Sequence, residues 1–129
     1  MDTTTPSLWL CLQAHDAPAL IDWYVDVLGL RVTARFGDGD RVDHAELRWP
    51  EGAGGLMIGS HDASRDYSIP PGSGHAYVVT ADPDAVHARV VAAGGEVLRG
   101  PADVGHGREV SVRDPEGNSW SFGTYPGAA

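Results

Sequence analysis

The sequence predicts an α+β domain built from two tandem βαβββ units. Three observations carry this. Strand-like and helix-like segments follow one another in the same order twice. The helix-starting residues Asp16 and Asp82 lie 66 positions apart, and the helix-ending Gly29 and Gly94 lie 65 apart. A single polar linker separates the two series. A chain of 129 residues suffices for one domain with a core. The expectation is one domain over 1–129, with a first unit at 8–60, a linker at 61–74 and a second unit at 75–125.

Leu8 to Gln13 is a short apolar run of strand length. Asp16 can cap a helix with Pro18 in its first turn, and Leu20, Ile21, Tyr24, Val25 and Leu28 form one apolar stripe. Gly29 ends it. Leu30 to Phe36 alternates apolar and polar residues, Gly37 to Asp40 is hairpin chemistry, and Val42 to Trp49 alternates again. Pro50 to Gly55 turns the chain into a fourth strand, Leu56 to Ser60. His61 to Gly74, with Pro70-Pro71-Gly72, reads as the linker. The pattern then restarts. His75 to Thr80 is a strand, and Asp82-Pro83 starts a helix with Val86, Val90, Val91 and Ala93 on its buried stripe. Gly95 to Arg99, Gly107 to Arg113 and Asn118 to Tyr125 are strands, the last two joined by the turn Asp114 to Gly117.

Composition excludes several chemistries. The net charge is −9, and nine arginines with no lysine carry the positive side chains. An acidic surface repels phosphate backbones, which argues against nucleic-acid binding. Without lysine there is no Schiff base and no Walker-type phosphate loop. The single Cys11 excludes an intrachain disulfide, and a cytoplasmic location is the default expectation. No apolar run reaches the roughly 20 residues of a membrane span. Met1 to Ser7 lacks the features of a secretory signal and is expected to be a frayed tail.

Three segments resemble the vicinal oxygen chelate superfamily, the glyoxalase/bleomycin-resistance/dioxygenase group. They are Ile21-Asp22-Trp23-Tyr24 leading to Val27-Leu28-Gly29-Leu30, then Gly74-His75-Ala76-Tyr77-Val78-Val79, then Arg113-Asp114-Pro115-Glu116-Gly117-Asn118 leading into Trp120-Ser121-Phe122. The resemblance covers Leu8 to Tyr125 and implies a glyoxalase/bleomycin-resistance-type fold with a central cleft. The Asp-Pro-Glu-Gly-Asn segment reads as a hairpin turn without chemistry of its own.

Metal-using members of that family place four ligands, usually His, Glu or Gln, on the first and last strands of each unit. Carried over, these positions fall on Trp9, Ile58, His75 and Ser121, and a one-residue shift on the fourth strand gives Met57 or Gly59. A site needs about three good protein ligands. Only His75 matches, so no metal and no other cofactor is expected. His44, His61, His87 and His106 read as solvent-exposed, and a different metal site built from them stands as an alternative.

Strand alternation puts Trp9 and Cys11 on one face, with His75, Tyr77 and Val79, and Ser121, Gly123 and Tyr125, on corresponding faces. A buried, inert thiol is the plainer reading of Cys11, and core packing is the alternative for Trp9. Trp49 is a candidate further wall. The expected ligand-binding set is therefore Trp9, Cys11, Trp49, Ile58, His75, Tyr77, Ser121 and Tyr125, with no catalytic residue. The linker, carrying Arg65, Asp66 and Tyr67, is either a rim or lid to this cleft or a plain connection.

The profile is similar to the drug-binding branch of the family, whose members hold an antibiotic without modifying it and are commonly homodimers with shared clefts. That resemblance implies metal-independent sequestration of a hydrophobic, aromatic small molecule of bleomycin, mitomycin or enediyne type, as in antibiotic self-resistance, and a homodimer, while the acidic charge and the lack of a long apolar run speak against nucleic acid and membrane as partners. The competing reading is a lyase, isomerase or dioxygenase that uses an atypical metal at His75, or His75 as a general base.

Overall fold

The computed structural model describes residues 5–129. The element order is β1(Trp9–Ala14), α1(Ala17–Asp26), β2(Arg31–Asp38), β3(Arg41–Arg48), β4(Gly55–Ser60), β5(His75–Val79), α2(Pro83–Ala92), β6(Glu96–Asp103), β7(Arg108–Arg113) and β8(Ser119–Gly123). Positions 1–4 of the tail expected to fray lie outside the described residues, while Pro6 is buried. The first sheet has the order β1-β4-β3-β2 and the second β5-β8-β7-β6. In each, the first strand runs parallel to the last and the other neighbours are antiparallel. The duplicated βαβββ reading is therefore the observed fold.

Local chemistry explains the helix boundaries. The Asp16 carboxylate accepts from the Ala19 N–H at 3.1 Å, and Asp82 accepts from Ala85 at 3.0 Å. Each satisfies one of the orphan donors of its first turn. At the other end Gly29 takes φ +76° and Gly94 φ +72°, a region that only glycine enters cheaply. That turn brings the Leu30 N–H onto the Tyr24 carbonyl at 3.0 Å, and the Gly95 N–H onto Val90 at 2.9 Å.

Some expectations shift by a residue or a face. Val25 and Val91 are exposed, at 38% and 54%, and Ala93 is exposed too. Val27 is buried in place of Val25, because the chain is already leaving the helix there. β6 runs to Asp103 rather than ending at Arg99, through register shifts that pass Gly100 and Pro101 without a ladder partner. β8 stops at Gly123, so Tyr125 lies beyond it.

The two units meet through their helix-side faces, which share one core. The Trp49 ring stacks on Phe122 at 5.8 Å between centroids, and Tyr24 meets Trp120 edge-on at 5.5 Å. The Arg89 guanidinium donates to the Val27 carbonyl at 2.9 Å, and the Glu116 carboxylate accepts from the His15 and Asp16 N–H groups at 2.8 and 3.0 Å. At the centre is Asp114, 5% exposed. It accepts from the Tyr24 hydroxyl, from the Glu116 and Asn118 N–H groups at 3.0 Å each, from the Asn118 amide at 2.9 Å and from the Trp120 indole at 3.2 Å. The sheet faces turned away from the helices are left open. Cys11, Phe36, His75, Tyr77 and Val79 on them are exposed, so within one chain these faces do not close over each other. No helix among the described residues is long and apolar enough to cross a membrane.

Tyr24→Phe removes one donor from a buried carboxylate and is expected to cost about 1.5–3 kcal/mol in urea unfolding. An unchanged midpoint would show that the Tyr24–Asp114 contact carries no weight. Burial, and then the charge of Asp114, raise the Tyr24 phenol well above its ordinary 10.0. A folded-state value above the unfolded one contributes stability that is complete below the unfolded pKa and is lost as pH rises past it. Stability is therefore expected to fall above about pH 10 by a component missing in Tyr24→Phe, read from unfolding midpoints on either side of that pH.

Candidate ligand-binding site

Residues directly opposite on neighbouring strands share a face, so the ladder registers order the open face of the first sheet into rows. Trp9, Gly55, Arg48 and Arg31 make one row across β1, β4, β3 and β2, and Cys11, Met57, Glu46 and Ala34 make the next. The Trp9 ring occupies the space where Gly55 has no side chain. A Cβ at Gly55 would fall 2.5 Å from the ring. At the other end of β4, Arg65 from the linker brings its guanidinium within 3.7 Å of where a Gly59 Cβ would sit, so the linker borders this face. His44 and Glu46 join through Nε2 and Oε2 at 2.8 Å, and Phe36 stacks on His44.

The open face of the second sheet is more polar, and its groups are paired with each other. The Tyr77 ring covers Gly123, and its hydroxyl donates to the Tyr125 carbonyl at 2.8 Å. Desolvation, and then the charge of Glu109, push the Tyr77 phenol above its ordinary value. His75 Nδ1 lies 2.7 Å from the Ser119 hydroxyl, and Ser111 and Ser121 share a hydrogen bond of 2.8 Å. Arg99 pairs with Glu109, and Arg113 with Glu96.

A third feature lies at the seam between units. A groove of about 340 Å³ opens between the edges of β1 and β5, lined by Leu8, Leu10, Leu56, Trp49, Ala76, Val78 and Trp120 among others, with Glu51 at its rim. Glu51 also accepts from the Thr80 hydroxyl at 3.0 Å, tying the two units at this point.

The expected residues therefore divide. Trp9, Cys11, His75, Tyr77 and Ser121 stand on the open faces, Cys11 as an exposed thiol rather than a buried one. Ile58 does not join them. It is 1% exposed in the core, opposite Ala45 on the helix side, and Met57 takes the open-face position. A slip of one residue reverses the face of a strand residue. Trp49 is packed between the units and walls the seam groove. Tyr125 contributes through its backbone carbonyl. Glu46, His44, Arg48, Arg31 and Met57 were not singled out as binding residues from the sequence. The alternation of β3 in phase with Trp9 and Gly55 was the signal that could have found them.

The residues at the four family ligand positions do not fit a metal. Trp9 offers no donor, Ile58 is in the core, His75 is tied to Ser119, and Ser121 to Ser111. Among the described residues, no group of three or more His, Cys, Asp or Glu side chains is placed to hold an ion.

Comparison with known proteins agrees with this architecture. The family model of the Glyoxalase/Bleomycin resistance protein/Dioxygenase superfamily matches residues 7–122. No curated protein matches the chain. Among solved structures, TioX from Micromonospora sp. ML1 is similar at 25% identity and TM-score 0.74, over 92% of this chain and 99% of TioX. TnmS3, an antibiotic binding protein from Streptomyces sp. CB03234, is similar at 24% identity and TM-score 0.73, over 89% of this chain and 91% of its own. Lactoylglutathione lyase from Agrobacterium tumefaciens is similar at 24% identity and TM-score 0.64, over 92% and 93%. At that identity, the likeness to the last two is one of fold. With the model match spanning nearly the whole chain, the protein belongs to the glyoxalase/bleomycin resistance protein/dioxygenase superfamily.

Proposed function

We propose that this chain binds and sequesters a hydrophobic, aromatic small molecule of the antibiotic type, without a metal. The observation that carries the reading is the Trp9 ring laid over Gly55 beside Met57 and Cys11 on an open sheet face. A flat indole with no side chain beneath it is a stacking platform, and each such contact adds roughly 0.5–1.5 kcal/mol beyond burial. The donor set that fails to fit a metal points the same way. The fold shared with an antibiotic-binding protein supplies the ligand class.

An open face encloses a ligand only when something covers it, and a second copy of the chain is the proposed cover. β1 and β5 are both edge strands, each with one unpaired row of backbone groups. Because the units are duplicates, β1 of one copy and β5 of its partner are equivalent edges that a two-fold axis can bring together twice. The apolar seam groove lies between these edges, and Leu8 at its mouth is 85% exposed.

Two measurements test the reading. Quinone, anthraquinone and glycopeptide drugs titrated by calorimetry should include a ligand whose affinity drops roughly threefold to tenfold in Trp9→Ala. Equal affinity of parent and variant for every bound drug would remove the stacking platform. In light scattering the parent should show about twice its 13.6 kDa chain mass, and Leu8→Asp should shift it towards the monomer. A monomeric parent would sink the shared-cover reading.

A further inference from the structure

The two units can be compared position by position through their common fold. In the second unit, Glu96 on β6 and Arg113 on β7 stand directly opposite and form an ion pair of 2.7 Å. The positions 65 residues earlier are Arg31 and Arg48, which also stand directly opposite, on β2 and β3. One unit therefore pairs opposite charges where the other sets two like charges. Like charges facing across a ladder destabilise it. Arg31 forms no ion pair among the described residues.

A second, independent observation falls at the same place. Both arginines line a hollow of about 510 Å³ together with Trp49, Pro50 and two glycines. Trp49 is only 9% exposed, and its indole N–H is buried with no acceptor among the described residues. Buried donors in folded proteins are nearly always paired, so this one lacks the acceptor that its burial calls for. The guanidinium and indole groups accept no hydrogen bond at all. Among the described residues, the side chains with hydrogen-bonding groups that line this hollow, Arg31, Arg48 and Trp49, are donors only, two of them cationic.

The hollow also lies at the end of the Trp9 row. Trp9 reaches over Gly55 towards Arg48, and Arg31 follows Arg48 in the same row. Neighbouring strands are about 4.8 Å apart, so an aromatic face and a guanidinium pair fall within the span of one small molecule. The chain as a whole carries a net charge of −9 and repels anions, so the attraction for one is local to this point.

We infer that the hollow binds a carboxylate on the ligand, with the aromatic body of the same molecule on Trp9. Arginine forks take a carboxylate through two parallel N–H bonds, and Arg31 forms no ion pair of its own among the described residues. The inference rests on the proposed aromatic small-molecule site and names the charge its ligand carries.

Matched probes test it: 2-naphthoate and its neutral amide, 2-naphthamide, titrated by calorimetry into the parent, Arg31→Glu and Trp9→Ala. The acid is expected to bind the parent about tenfold more tightly than the amide, the worth of one charge-assisted contact. Arg31→Glu recreates the charge pattern of the second unit. It is expected to melt no lower than the parent, and to reduce the advantage of the acid to about twofold or less. Equal binding of acid and amide by the parent, or an advantage that survives Arg31→Glu, would overturn the carboxylate site while leaving the aromatic platform in place. An acid that Trp9→Ala binds as tightly as the parent does, but Arg31→Glu loses, would uphold the carboxylate site and remove the platform. Binding of neither probe to the parent at millimolar concentration would overturn both.

Discussion

Asp114 carries a carboxylate into the interior, where, among the described residues, no cation forms an ion pair with it. A buried charge is tolerated only when donors replace the water it has lost. Here the donors come from both units: the hydroxyl of Tyr24 on α1 from the first, and Asn118, Glu116 and Trp120 from the second. The cost of leaving that charge short of a donor fixes how the units sit. Once Tyr24 is held there, its ring meets Trp120, and Trp49 can stack on Phe122. The helix-side faces are then used up against each other, and the remaining sheet faces turn outwards. The openness of the candidate site is a consequence of this buried hydrogen-bond cluster.

The open faces share a plan and differ in content. Each lays an aromatic ring over a glycine of its last strand, Trp9 over Gly55 and Tyr77 over Gly123. In the second unit the polar neighbours satisfy one another through the Ser111–Ser121 and His75–Ser119 contacts and two ion pairs. Such a surface has little left to offer a ligand. The first unit keeps an indole, a thioether and a thiol exposed to varying degrees, with arginines at its borders. Duplication left two copies of one platform, and the chemical difference between them is concentrated in the first.

Much of the fold was legible because it is written locally. Asp16 and Asp82 cap helices wherever those helices pack, and Gly29 and Gly94 end them through a backbone conformation of their own. The positions of Trp9, Cys11, His75 and Tyr77 on open faces followed from the two-residue period of a strand. The failures share a cause, since they depend on partners distant in sequence. Ile58 was placed on the wrong face because the start of β4 is set by its pairing with β1 and β3. Val25 and Val91 lie at the edge of a helical stripe, whose width depends on what packs against it. Trp49 at the end of β3 does wall a groove, but its stacking on Phe122 of the other unit could not be read from the sequence. Asp114 was visible as a turn residue, and its burial was not, because the phenol that draws it inwards lies 90 residues away.

The glycine floor beneath Trp9 gives the two positions opposite mutational fates. Any side chain at position 55 must displace the ring, so drift there disturbs the platform before it changes what is recognised. A change at position 9 alters only what rests on the floor. The scaffold thereby separates the part that keeps the shape from the ring that lies on it. Exchange of the half-buried ring at position 9 for another asks nothing of the core.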